Sequence, residues 1–229
     1  MLRTLKQIYG CVLRASDGDI GYVSDFSFDV RSWAVRYIVA STAAWPLGRK
    51  ILLDPLAFGI NPLSKATVPS KPDLLRINLT RAEIRSCPPQ SAHPAFPMQQ
   101  ELLYFHRFGW PFGPKASPPL THAGPGASQL HYGMTDDNDR HLYSARAMEG
   151  YSVLTTDGIL GPLTDMCMDD INWVIRELLV NTGSWYTSHR TVVSPRSVES
   201  VDYFKSVIQL NRSRGELVGA GRESLGTAA

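Results

Sequence analysis

Alternating apolar and polar positions in residues 10–55 predict a run of short strands. Residues 11–15 form the first, ended by Ser16-Asp17-Gly18-Asp19, whose Asp-Gly pair tolerates the positive φ of a tight hairpin. Residues 19–28 follow. Ile20, Tyr22, Phe26 and Phe28 share one parity there, while Val23 and Asp25 break it, which predicts a bulge or sharp bend in mid-strand. After a turn at residues 29–32, the β-branched and aromatic residues of 33–41 predict a third strand. Residues 49–53 add another, ended by Pro55, and residues 74–79 close the sheet. Thr4-Leu5-Lys6-Gln7 and Thr80-Arg81-Ala82-Glu83 each fit a capping box, so short helical turns flank the strands.

The same pattern returns 140 residues later. Residues 10–58 and 150–198 align without a gap, with identities at Gly10/Gly150, Asp17/Asp157, Gly18/Gly158, Gly21/Gly161, Asp25/Asp165, Asp29/Asp169, Trp33/Trp173, Arg36/Arg176, Thr42/Thr182, Trp45/Trp185 and Pro55/Pro195. Average residue usage would give roughly three such matches. A period this long, present twice, predicts two domains of one fold and excludes a solenoid of short units. The second copy carries strands at residues 151–155, 159–168, 173–181 and 190–193 and a last strand at 206–210. Aligning Ile77 with Ile208 makes its final loop nine residues shorter.

Residues 1–90 and 141–215 are thus two small antiparallel β-barrels in tandem, related by rough two-fold pseudosymmetry; residues 91–140 connect them and 216–229 are a flexible tail. The connection is rich in proline, glycine and aromatics. Residues 98–108 are its one helical candidate, and Leu102, Phe105, Phe108, Trp110 and Phe112 predict that it docks on a barrel or a second subunit. Residues 115–139 are expected to form a mobile loop.

Composition narrows the function classes. The net charge is +2, from 23 basic and 21 acidic residues, so nothing global favours nucleic acid or an anionic membrane as partner. The first residues lack the apolar core of a signal peptide, and no apolar run approaches the ~20 residues of a bilayer span; a cytoplasmic protein without membrane insertion is expected. Cys11, Cys87 and Cys167 are scattered and predict buried free thiols rather than disulfides or a zinc site.

The succession Asp-Gly-x-Ile/Leu-Gly, Asp-x-x-x-Asp, Trp-x-x-Arg, Thr-x-x-Trp, apolar strand and Pro resembles the PRC-barrel family. That family includes the β-barrel domain of the photosynthetic reaction centre H subunit and is similar to the C-terminal domain of the bacterial ribosome maturation factor. The first copy carries the resemblance at Asp17-Gly18-Asp19-Ile20-Gly21-Tyr22-Val23, Trp33-Ala34-Val35-Arg36-Tyr37-Ile38-Val39, Gly48-Arg49-Lys50-Ile51-Leu52 and Leu79-Thr80-Arg81-Ala82-Glu83-Ile84. The second copy is looser, with Pro162 within a strand, Glu177 for Tyr37 and Ser188-His189-Arg190 for Gly48-Arg49-Lys50. Tyr104, Gly109-Trp110-Pro111 and Arg140-His141-Leu142 resemble the tandem members of the family. The resemblance implies assembly and binding roles and no shared catalytic site.

Candidate chemistry is sparse. The repeated Asp17, Asp25 and Asp29 and their partners sit in turns or beside an in-register arginine, so Asp17 and Asp29 are expected to cap turns, Asp25 to pair with Arg36 across strands, and Asp165 to pair with Arg176. Six histidines lack metal-ligand spacing, and neither a phosphate-cradling loop nor a nucleophile motif is present, so no cofactor, metal or catalytic residue is assigned. Trp45 and Trp185, each followed by cations, either plug the barrel ends and meet an interface or stack a base. The interaction candidates are therefore Asp17, Gly18, Asp25, Trp33, Arg36, Trp45, Trp110, Asp157, Gly158, Asp165, Trp173, Arg176 and Trp185. The expected role is a non-catalytic assembly or adaptor module that binds a protein partner or forms a homodimer. An RNA- or ribosome-associated factor is the alternative, disfavoured by the near-neutral charge, and a photosynthesis-related accessory protein without a membrane anchor is a second.

Overall fold

The computed structural model describes residues 2–42, 48–58, 63–64, 74–93, 95, 141–183 and 189–217. Trp45, Trp110, Trp185 and the helix expected at 98–108 lie outside these residues. The first half runs β1 (Leu2–Thr4), α1 (Leu5–Ile8), β2 (Val12–Ala15), β3 (Gly18–Asp29), β4 (Val35–Ser41), β5 (Lys50–Leu53), β6 (Leu63–Ser64), β7 (Leu74–Arg76) and α2 (Arg81–Ser86). The second runs β8 (Leu142–Ser144), α3 (Ala145–Met148), β9 (Ser152–Thr155), β10 (Gly158–Asp169), β11 (Val174–Asn181), β12 (Arg190–Val193), β13 (Val198–Asp202) and β14 (Val207–Leu210).

The molecule is mainly β, with two seven-stranded sheets of matching order. In the first the order is β5-β4-β3-β2-β7-β6, in the second β12-β11-β10-β9-β14-β13, and each path is open among the described pairings. The sheets are mixed rather than wholly antiparallel, because β2 pairs with β7 and β9 with β14 in parallel.

The sheets are completed by exchange. β1 pairs with β10 of the other half, Leu2 opposite Asp169 and Thr4 opposite Cys167. β8 answers by pairing with β3, Leu142 opposite Asp29 and Ser144 opposite Ser27. Between them the chain crosses its own pseudo-dyad, where Ala34 bridges Val174. Val35 N–H donates to the Trp173 carbonyl at 2.7 Å there, and Ile175 N–H to the Trp33 carbonyl at 2.8 Å. The buried side chains of both halves accordingly form one continuous cluster, from Leu5, Phe26 and Phe28 to Met168, Ile175 and Leu178.

Most repeated residues are explained by construction. Gly21 and Gly161 have φ of 148° and 151°, and a Cβ would lie 2.0 Å from the Ser41 carbonyl oxygen or 1.8 Å from that of Asn181. Only glycine lets β3 and β10 approach their neighbours this closely. Trp33 and Trp173 are left-handed, at φ 58° and 53°, each closing a turn by donating its N–H to the carbonyl of Asp29 or Asp169. Such a backbone is strained for a tryptophan. Burial at 7 % exposure, with Trp33 stacked on Phe28 and Trp173 tilted against Phe58, offsets the strain. Thr42 and Thr182 close the base of the following loop through hydroxyl bonds to the carbonyls of Arg49 and His189. Pro55 and Pro195 begin short 3-10 turns that Asp54 and Ser194 cap.

The expected bulge is present between Val23 and Asp25, and β10 repeats it between Leu163 and Asp165. The final-strand alignment needs correction. Leu13 faces Leu75 and Val153 faces Ile208, so Ile208 corresponds to Leu75, an offset of 133, and the loop is seven residues shorter. A two-residue slip keeps every side chain on its own face, and for that reason the periodicity is blind to it.

Candidate functional site

The repeated acids do not converge. Asp17 Oδ1 accepts from Arg81 N–H at 2.8 Å and Asp157 Oδ1 from Arg214 N–H at 2.8 Å, so each ties the Asp-Gly hairpin of its half to a helical turn that follows its last strand. Asp29 Oδ1 accepts from Arg31 N–H, and Asp169 Oδ1 from Ile171 N–H, as turn caps.

Asp25 and Asp165 require a correction. Asp25 Oδ1 accepts from Phe26 N–H at 2.7 Å and from Arg146 N–H at 3.1 Å, and its Oδ2 accepts from the Ser144 hydroxyl at 2.5 Å. Asp165 Oδ1 accepts from Met166 N–H at 2.8 Å and from Lys6 N–H at 3.3 Å. Each acid thus reaches across to the first turn of the opposite half's exchanged segment, satisfying an N–H that a helix start leaves open. Burial pushes the Asp25 carboxyl above its ordinary value, although hydrogen bonds from Ser144, Arg146 and Phe26 pull the other way.

The arginines expected beside these acids lie three residues further along the ladder, because Asp25 faces Val39 and Asp165 faces Leu179, and each arginine sits at a second bulge. Ser27 faces Tyr37 and Phe28 faces Val35, leaving Arg36 as the extra residue; Cys167 faces Glu177 and Met168 faces Ile175, leaving Arg176. A bulge re-aims its side chain away from the regular ladder. Arg36 turns to Asp29, with Nη2 3.8 Å from Oδ2. Arg176 instead lines a cleft.

That cleft, about 860 Å³, lies at the junction of the halves. The β3–β4 turn supplies Arg31 and Trp33, the β11 bulge Arg176, the 3-10 turn Arg196, and β13 the residues Val198, Glu199, Ser200 and Val201. Glu199 is the single carboxylate among its described lining residues. Arg31, Arg176 and Arg196 make no side-chain hydrogen bond or ion pair among the described residues. At the positions related by the pseudo-dyad, Arg31 is replaced by Ile171, Arg196 by Leu56 and Val198 by Phe58. Ile171 and Leu56 are exposed at 58 % and 89 %, while Phe58 is packed on Trp173. Arg176 had been singled out in the sequence, but for an ion pair; Arg31 and Arg196 had no signal except their failure to repeat.

Elsewhere the titratable groups serve the interior. Cys11 and Cys167 are buried thiols outside any disulfide, as expected, and burial pushes the Cys167 thiol up to about 11; Cys87 is only half-buried. His93 stacks on Tyr37 with ring centroids 5.3 Å apart. Among the described residues no three His, Cys, Asp or Glu side chains gather as a metal site would need, and no helix is long and apolar enough to cross a membrane. No family model matches the chain, and no curated protein matches it.

Proposed function

We propose that this chain is a tandem protein of PRC-barrel type acting as a non-catalytic assembly or adaptor module, with a protein as its partner. The observation that carries the reading is the fate of the repeated polar residues. Asp17, Asp25, Asp29 and Thr42 and their counterparts are each bound to backbone groups of the chain itself, so the duplicated chemistry is spent on the fold. The unrepeated Arg31 and Arg196, together with Arg176, whose counterpart Arg36 lies beside Asp29, are the cations that remain for recognition. Its mixed cationic and apolar lining suits a binding surface better than a reaction centre, which would need a nucleophile or base held against an orienting partner.

The internal dyad favours an external partner over a second copy. A two-fold interface uses one self-complementary patch twice, and here both uses fall within one chain. Unpaired arginines also give the RNA reading one supporting observation. Recovery of the tagged chain from its native cell, followed by quantitative mass spectrometry with and without ribonuclease, separates the two. The adaptor reading expects a protein at fixed ratio that survives the nuclease. Partners lost with the RNA would replace it by the alternative.

A further inference from the structure

The cleft at the junction of the halves has a composition that selects among ligands. We propose that it binds an acidic, extended peptide segment of a partner protein, an inference that rests on the adaptor reading above and names the chemistry of its recognition. Three arginines against one glutamate give the lining a net positive charge, and no carboxylate of the chain neutralises Arg31, Arg176 or Arg196 among the described contacts. Guanidinium groups held in this way match carboxylates in fork geometry. The wall contributes the second element of the match. Four consecutive residues of β13 line the cleft, and β13 ends the strand order of its sheet, so one of its edges pairs with no strand among the described residues. An extended peptide laid along such an edge gains main-chain hydrogen bonds, while the exposed parts of Val198 and Val201, which otherwise pack on the core, meet its apolar side chains.

Nucleic acid fits less well. Trp33, the one aromatic among the described lining residues, is 7 % exposed and engaged with Phe28, so the described lining offers bases no platform to stack on. The chain's net charge of +2 gives no overall attraction for a phosphate backbone. The duplication adds an internal control, because the related positions carry Ile171 and Leu56 and the related Arg36 lies beside Asp29. Both halves inherited the same backbone. Only one of the two dyad-related sites brings together three guanidinium groups unpaired among the described residues.

The test is fluorescence anisotropy of the full chain with a labelled short peptide alternating glutamate and valine. Saturable binding is expected, weakened by added salt and reduced roughly ten-fold or more by Arg176→Glu or Arg196→Glu. Arg36→Glu is expected to leave it unchanged. Arg31→Ser, in an exposed turn, gives a milder loss and guards against misfolding of the charge reversals; circular dichroism of every variant checks the fold. The proposal is overturned by equal binding of a peptide with lysine for glutamate, by tighter binding of single-stranded RNA, by equal affinity in the arginine variants, or by no binding. Its failure is distinguishable from failure of the adaptor reading. A protein partner still recovered with the Arg176→Glu/Arg196→Glu chain would sink the cleft and spare the adaptor, whereas a wild-type chain that recovers no protein sinks the adaptor.

Discussion

Lys6 and Arg146 hold the same place in the two exchanged segments, yet Lys6 Nζ lies 3.7 Å from Glu149 Oε2 whereas Arg146 lies over the Tyr9 ring, 4.7 Å from its centroid. Likewise Arg3 is paired with Asp170 at 2.8 Å, while their counterparts are Tyr143 and Val30, both packed on the core. The backbone of the two crossings is nearly the same and the side-chain chemistry is not. In a true homodimer a change at one contact appears at both, so each residue must suit both copies of its partner. Joined in one chain, the contacts were free to diverge. An ion pair could settle on one side and apolar or cation–π packing on the other.

This comparison makes the shared frame sensitive and the diverged contacts mild. The largest effect is expected from Gly21→Ala and Gly161→Ala, whose new methyl would meet the carbonyl of Ser41 or Asn181. Each should cost about 3 kcal/mol or more, equally in the two halves, by urea unfolding. Tolerance in one half alone would end the equivalence of the two frames.

A smaller effect, dependent on pH, belongs to the Asp25 crossing. Because burial raises its carboxyl above the ordinary value, the folded protein holds this proton more tightly than the unfolded chain does. Stability from this group is therefore present at acid pH and falls as pH climbs from the unfolded carboxylate value, about 4, through the raised folded value. Asp25→Asn keeps an oxygen for Phe26 and Arg146 and should flatten that fall in thermal unfolding measured across the acid range. An unchanged slope would place the proton elsewhere.

The smallest effect is expected at the half-exposed cations. Lys6→Ala and Arg146→Ala should each cost about 0.5 kcal/mol. Added salt should erase the Lys6 penalty and leave most of the Arg146 penalty, since an ion pair between exposed groups is screened and a cation on a buried ring much less so. Equal salt sensitivity would mean that the two contacts are alike in kind after all.

The strands, the hairpins, the bulge at Val23/Asp25, the capping turns at Thr4 and Thr80, and the duplication were legible because each leaves a local trace: parity, an Asp-Gly pair, a hydroxyl three residues before Gln or Glu. The exchange left none. β1 and β8 are three residues long, too short for periodicity, and their partners lie half the chain away or more. The Asp25–Arg36 pairing failed because the hairpin register sets Asp25 opposite Val39, three residues along β4 from Arg36, and the carboxylate turns to the exchanged segment instead. β13, Val198-Glu199-Ser200-Val201-Asp202 directly after the 3-10 turn, was missed because a bulge between Val198 and Ser200 spoils its alternation, and with it the wall of the cleft was missed. The arginines of the cleft are exposed and two of them, Arg31 and Arg196, do not repeat, so only the fold brings the three together.

The exchanged segments also set an order of events during synthesis. Residues 142–146, which supply β8 and the groups bonded to Asp25, leave the ribosome only after the whole first half and the connection behind it. Until then the nascent first half carries an unpaired stretch at the end of β3 and an Asp25 without two of its three donors. β1 meanwhile waits for a sheet that has not been made. The first half must stay soluble in this unfinished form, and a pause or truncation between the halves would leave a sticky edge that the finished protein never exposes.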